Sequence, residues 1–223
     1  MRIAAVTGLA AEARIARSAG LVAVATGGDA ARTAAAAERL LADGASALLS
    51  FGVAGGLDPA LAPGSLLLPR LVQSEDGATF PVDAGWRAQV LAALRALGLV
   101  PAEGDLLGAA RIVAASSAKA ELHRRTGAIA VDLESHVAAQ AAARAARPFL
   151  ALRAVADPVS LDLPAAAVLP LDEEGRPQLG RVLLCVAGDP RQILRLIRVA
   201  RDTSRALAAL RRAVNALRSD DAR

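Results

Sequence analysis

The chain is poor in the side chains that most often carry chemistry: in 223 residues it has one cysteine, two histidines, one lysine, one tryptophan and no tyrosine. A single cysteine, Cys185, excludes an internal disulfide framework, and with only His123 and His136 to join it a Cys/His zinc site is not expected. The expectation is no metal and no resident cofactor. Aromatic residues are 2%, so the stacking platforms that hold single-stranded nucleic acid are lacking and a nucleic-acid partner is not expected. Hydrophobic residues reach 54%, but much of that is alanine, and no run of ~18 strongly apolar residues marks a membrane span. Met1-Arg2-Ile3-Ala4-Ala5-Val6 lacks the charged, apolar and cleavage regions of a signal peptide and reads as a first strand. The expected setting is the cytoplasm.

What is present is alanine and arginine. The formal charge is +4, and Lys119 is the one lysine among 26 cationic residues. That bias fits a GC-rich genome as readily as an anionic partner. The length suits one α/β domain with a real core and does not require two.

The stretch from Ala128 to Asp157 organises the rest. An apolar run (Ala128–Leu133) ends in Glu134, an alanine-rich helical segment follows, and a second apolar run (Phe149–Ala156) ends in Asp157. This strand–helix–strand pattern predicts a parallel crossover unit, with both acids delivered to one sheet edge, where open α/β sheets bind ligands. Each acid also has a plainer explanation: Glu134 suits a helix N-terminus, and Asp157-Pro158 suits a turn.

From the start of the chain, Arg2–Gly8 predicts a strand and Leu9–Arg14 a helix start, with Glu12 just past the strand's end. Leu21–Ala25 predicts a second strand, and Asp29 caps a helix running to about Leu41. Ala45–Phe51 predicts a third strand, running into a loop rich in glycine, Gly52-Val53-Ala54-Gly55-Gly56. Gly64–Pro69 predicts a strand beside the third, Ala84–Leu97 a helix ended by Gly98, Gly108–Ala115 a strand and Lys119–Arg125 a short helix. Residues 158–190, with Pro158, Pro164, Pro170 and Pro177, predict a loop-rich wall or lid. A helix from about Pro190 to 218 carries an apolar stripe of Ile193, Leu196, Ile197, Ala200, Leu207, Leu210, Val214 and Leu217 beside a basic face. That face is either solvated or a surface for anionic lipid headgroups. The fold class is therefore α/β: a single domain with a mixed, largely parallel sheet flanked by helices.

Glu12, the glycine-rich stretch, Glu134 and Asp157 all fall near predicted strand ends. Three carboxylates around a glycine-lined pocket suit a reaction passing through a sugar cation. One orients water, one holds the ribose hydroxyls, and a protonated third serves the leaving group. Asp157, ending an apolar strand near Glu134, is the natural candidate for the proton donor.

Four motifs in order, G-L-A-A-E at Gly8–Glu12, G-V-A-G-G-L at Gly52–Leu57, A-V-D-L-E at Ala130–Glu134 and R-A-V-A-D at Arg153–Asp157, carry a resemblance to a known family. The chain resembles the nucleoside phosphorylase and nucleosidase superfamily, particularly the methylthioadenosine/S-adenosylhomocysteine nucleosidases. D-L-E-S-H-V-A-A at Asp132–Ala139 and the arginine-rich tail resemble the hopanoid-associated branch, which is linked to removal of adenine from adenosylhopane. The resemblance implies that Glu12 activates water, Asp157 protonates adenine at N7 and Glu134 binds the ribose hydroxyls. Leu133, Val53, Ala54, Gly55 and Arg153 carry over as substrate-binding positions. Leu133 replaces a methionine that packs under the sugar; Val53 and Ala156 stand where relatives carry hydroxyl residues.

Those departures bear on the nucleophile. A phosphorylase needs cations and hydroxyls around phosphate, whereas here Ser50-Phe51 replaces an arginine-bearing approach to the glycines and Val53 lacks a hydroxyl. Hydrolysis is the expectation, with phosphorolysis of the same or a soluble purine nucleoside as its rival and inorganic phosphate as co-substrate only in that case. Cleavage of methylthioadenosine or S-adenosylhomocysteine is a second rival, and a non-catalytic nucleoside-binding protein a third. The resemblance further implies a homo-oligomer, a dimer first. A lipid-linked adenine nucleoside would explain the apolar 161–171 segment as a channel beyond the 5′ position. It would also explain the basic final helix as a peripheral contact with the membrane's inner face.

Overall fold

The computed structural model describes residues 1–169, 171–172, 174–189 and 191–217. Pro170 and Pro190, two of the prolines read as loop and helix-start signals, lie outside the described residues. The first half alternates strand and helix: β1 (Ile3–Thr7), α1 (Ala10–Ser18), β2 (Val22–Ala25), α2 (Ala30–Ala42) and β3 (Ala47–Gly56). β1 pairs in parallel with both β2 and β3. The two crossovers run in opposite directions along the sheet, so right-handed connections put α1 and α2 on opposite faces. β1 is buried throughout, which is why its sequence, Ile-Ala-Ala-Val-Thr, shows no alternation. Asp29 caps α2, its carboxylate accepting from Arg32 N–H at 2.8 Å.

The remaining elements are β4 (Leu66–Leu67), β5 (Leu71–Ser74), β6 (Thr79–Pro81), α3 (Ala84–Ala96), β7 (Leu106–Gly108), α4 (Ser116–Thr126), β8 (Ala130–Asp132), α5 (Ser135–Arg144), β9 (Phe149–Asp157), α6 (Leu179–Gly188) and α7 (Gln192–Ala213). Single 3-10 turns lie at Ala165–Ala167 and Val214–Leu217. The nine strands form one mixed sheet in the order β2-β1-β3-β8-β7-β5-β6, with β9 pairing β3 and β4 off that path. α2 packs with α5 and α1 with α7, and α5 and α7 both lie on β3 and β9. The predicted fold class holds.

Several local expectations do not. β8 and β9 are not neighbours in a parallel crossover: β3 lies between them, parallel to β9 but antiparallel to β8 over Gly55 and Gly56. The cause is the length of β3. It does not stop at Phe51 but runs ten residues through the glycines to Gly56, with a register shift at Ala54/Gly55 that turns its tip. The supposed glycine loop is therefore strand. β4 pairs with β9, not β3; β5 and β6 have no counterpart in the sequence reading; and of the predicted 108–115 strand only Gly108 is in a strand, the last residue of β7. Residues 158–190, expected as loop, contain α6. The apolar stripe of α7 is split, for Ala206 and Leu210 are buried while Ile193 and Ile197 stand 45% and 59% exposed.

Candidate active site

Three acids reach one cavity from three elements: Glu12 from the first turn of α1, Glu134 from the N-cap position of α5, and Asp157 from the end of β9. The cavity measures about 470 Å³, and all three line it, together with Val53, Ala54, Gly55 and Leu133. Arg153 alone among the sequence-predicted site residues does not. It is 1% exposed and sits behind the carboxylates.

Glu12 is buried with both oxygens engaged. Oε2 accepts from Gly8 N–H at 2.9 Å and Leu9 N–H at 2.7 Å, and Oε1 accepts from Val53 N–H at 2.7 Å. A carboxylate offers about four lone-pair sites, so one remains, on Oε1. The backbone can approach this closely because Gly8 and Gly52 have no side chain. A Cβ on Gly52 would lie 2.6 Å from Arg153 Nη1 and 2.7 Å from Glu12 Cδ; one on Gly8 would lie 2.5 Å from Glu134 Oε1. Burial raises the Glu12 pKa, opposed by Arg153 and by the three N–H donors.

Glu134 stands at a helix N-terminus but makes no capping hydrogen bond. Its Oε2 instead accepts from Arg153 Nη2 at 3.2 Å, and its other oxygen faces Gly8. Burial pushes its pKa up to about 8; Arg153 opposes the rise, and Asp132 and Glu12 add to it. Arg153 also pairs with buried Asp132 and donates to the Ser50 and Ser135 hydroxyls at 2.6 and 3.1 Å. One buried cation thus answers three buried acids, pairing directly with Asp132 and Glu134 and acting on Glu12 through its charge.

Asp157 is held by Lys119. The lysine Nζ lies 2.5 Å from Oδ2 and completes its donor set with the carbonyls of Leu161 at 3.1 Å and Pro158 at 3.3 Å. Oδ1 makes no hydrogen bond among the described residues. Burial raises the Asp157 pKa, and the Lys119 ammonium opposes it. Ser50, Asp132, Ser135 and Lys119 were missed from sequence. Two signals were available. An arginine inside an apolar strand needs a buried acid, and the only lysine of an arginine-rich chain stands in a helix that meets the acid. Among the described residues, no group of three or more His, Cys, Asp or Glu side chains could hold a metal ion.

The rest of the wall is mostly apolar, from Ile112, Val113, Leu163, Leu169, Leu179 and Leu196, with Arg111, Gln178 and Thr203 as its polar members. The arrangement can hold a polar, cation-forming ring among the acids and an apolar group beyond it.

The fold is that of known nucleosidases. A 5′-methylthioadenosine/S-adenosylhomocysteine nucleosidase from Neisseria meningitidis, in complex with methylthio-immucillin-A, superposes with a TM-score of 0.73 at 18% identity, covering 98% of this chain and 99% of that one. The corresponding Helicobacter pylori enzyme with butyl-thio-DADMe-Immucillin-A gives 0.67 at 14% identity, over 96% and 98%. Futalosine hydrolase of Helicobacter pylori gives 0.67 at 13% identity, over 96% and 97%. No curated protein sequence matches the chain. The phosphorylase superfamily model matches residues 16–183, a span that holds Glu134 and Asp157 and begins just after Glu12, and the chain belongs to that superfamily.

Proposed function

We propose that this protein hydrolyses the N-glycosidic bond of an adenine nucleoside, releasing adenine, and that adenosylhopane is its substrate. The observation that carries the reading is the convergence of Glu12, Glu134 and Asp157 on one cavity whose outer wall is apolar. Water accepts a hydrogen bond from nothing at Glu12; it donates one to the free lone pair on Oε1 and is thereby aimed at the anomeric carbon. Glu134, facing Gly8 beside it, takes the ribose hydroxyls. As the C–N bond breaks, positive charge grows on the sugar and negative charge on the base. Asp157 Oδ1 delivers its proton to the base nitrogen, and burial supplies the raised pKa that this role needs. Glu12 faces the sugar cation in a buried setting, where its charge acts strongly.

Hydrolysis is favoured over phosphorolysis by the electrostatics. Among the described residues lining the cavity Arg111 is the one cation, and it is exposed, while the buried Arg153 is already committed to Asp132 and Glu134. Acids would meet an incoming phosphate with repulsion. The methylthioadenosine and futalosine enzymes of like fold support N-glycosidic cleavage as the reaction class. The apolar outer wall supports a long apolar 5′ substituent, hence a lipid-linked substrate and peripheral contact with the cytoplasmic face of a membrane; membership of the superfamily supports assembly as a homo-oligomer, a dimer first.

Adenine release from adenosylhopane, or from an adenosine bearing a long 5′-alkyl chain, compared with methylthioadenosine, tests the reading. Phosphate-independent release with preference for the long chain is expected. Strict phosphate dependence would replace hydrolysis by phosphorolysis, and preference for methylthioadenosine would remove the lipid substrate. Chromatography at two concentrations tests the dimer.

A further inference from the structure

The segment after β9 does two things at once. Its inward side chains, Leu163, Leu169 and Val182, wall the cavity together with Leu196 of α7, and Leu179 stands at the rim. Its outward ones are left uncovered among the described residues. α6 has no buried residue, and Leu179, Leu183 and Leu184 are 71%, 69% and 76% exposed. Residues 179, 180, 183, 184 and 187 share one helical face and carry no charge. The first turns of α7 add Leu194 and Ile197, 79% and 59% exposed. Both helices pack on the turn at Ala165–Ala167, so the two apolar faces flank one mouth.

The charge along α6 and the start of α7 is predominantly positive. Residues 176–205 contain seven arginines against two acids, Asp189 and Asp202. Asp202 is buried and already pairs with Arg198 and Arg205; Arg181, Arg191 and Arg195 are exposed. A second copy of the chain docked here about a two-fold axis would set this cationic patch against itself. A bilayer containing anionic lipid meets both demands, hydrocarbon for the leucines and phosphate for the arginine forks.

We propose that the exposed faces of α6 and of the first turns of α7 form a bilayer-docking surface, with Leu183, Leu184 and Leu194 entering the acyl boundary and Arg181, Arg191 and Arg195 at the phosphates. The cavity mouth then opens toward hydrocarbon, and an apolar 5′ group reaches the acids without crossing water. This deepens the reading given above and rests on it only for the identity of the substrate; docking itself is measured without any substrate.

Co-sedimentation of the full chain with phosphatidylcholine vesicles, with and without phosphatidylglycerol, tests it. Binding is expected to the anionic vesicles and to fall as salt rises. Leu183→Ser/Leu184→Ser, which lie off the cavity wall, are expected to weaken that binding by at least about tenfold while methylthioadenosine or alkyl-adenosine turnover in detergent-free solution stays unchanged. Arg191→Glu/Arg195→Glu is expected to abolish the preference for anionic lipid. Loss of activity in the first variant, with a lowered melting temperature, moves the test to Leu194→Ser. Three results overturn the proposal: no vesicle binding by the wild type at low salt, binding indifferent to the leucine changes, or a dimer that the leucine changes dissociate. None of these bears on whether adenine is released, so docking and catalysis fail separately.

Discussion

Lys119 Nζ lies 2.5 Å from Asp157 Oδ2, and the lysine side chain has no exposed surface while the aspartate keeps 16%. The ammonium engages one carboxyl oxygen of a residue that lines the cavity, and the other oxygen makes no hydrogen bond among the described residues. Lys119 therefore opposes the rise in pKa that burial imposes on Asp157, and the balance decides how long the acid holds its proton.

Asp157→Asn removes the proton and keeps the shape. Adenine release is expected to drop by about 10²–10⁴. Lys119→Met removes the ammonium and leaves burial unopposed, so Asp157 holds its proton to higher pH. The alkaline limb of the kcat profile is expected to move upward in that variant. A limb that stays in place would separate Lys119 from control of the proton.

Glu12→Gln keeps the volume but gives the backbone one acceptor oxygen in place of two. An NH2 group must then face either Val53 N–H or the Gly8 and Leu9 pair. The cost is about 1–3 kcal/mol of stability from the unsatisfied donors. It comes with a loss of turnover of about 10²–10⁴, because water loses its proton acceptor. A thermal melt and an adenine-release assay on the same preparation check both. A variant that melts early but turns over normally would remove Glu12 from catalysis.

Gly52→Ala tests packing without touching an ionisable group. Gly52 lies in β3, and its Cβ would meet Glu12 and Arg153 at under 3 Å. These side chains are both buried, so neither can swing into solvent. Turnover is expected to fall by about tenfold or more as the acids are displaced by a fraction of an ångström to an ångström, with the strand pairing intact by circular dichroism. Wild-type turnover in this variant would mean that the positions of Glu12 and Arg153 are not critical.

Glu134 makes stability depend on pH in a direction opposite to that of a surface-paired carboxylate. Its pKa is raised from 4.5 to about 8 on folding, so the native chain binds a proton that the unfolded chain releases. The associated stability is present in full below about pH 4.5 and is lost as pH rises through about 8. Glu134→Gln keeps a neutral group there at every pH. The melting temperature of the ligand-free wild type is expected to fall between these limits, and that of the variant to fall less. Parallel curves would show that Glu134 does not titrate in this range.

The three acids were legible because each follows an apolar run. The shared sheet edge expected for Glu134 and Asp157 does not hold, because β8 runs antiparallel to the tip of β3 while β9 runs parallel to it. It is the ten-residue β3, pairing with both strands, that brings their ends to one cavity. The partners were less legible because they come from distant sequence. Arg153 reads as a substrate contact until Asp132, Ser50 and Ser135 are seen around it, and Lys119 is 38 residues from Asp157.

By itself, the sequence determined the compartment-neutral chemistry: too few cysteines and histidines for the usual metal ligands, three acids after strands, helices with readable caps, and an apolar wall after Asp157. These are properties of residue type and local spacing, which survive any arrangement of the elements. Only the tertiary structure decided that β3 continues through its glycines, that Arg153 lies behind the acids and off the cavity wall, and that α6 turns its leucines to the outside. Each of those depends on which surfaces meet. A glycine is strand or loop according to its neighbours, a buried charge goes where opposite charges wait, and an apolar face is core or surface only once the rest of the chain has packed.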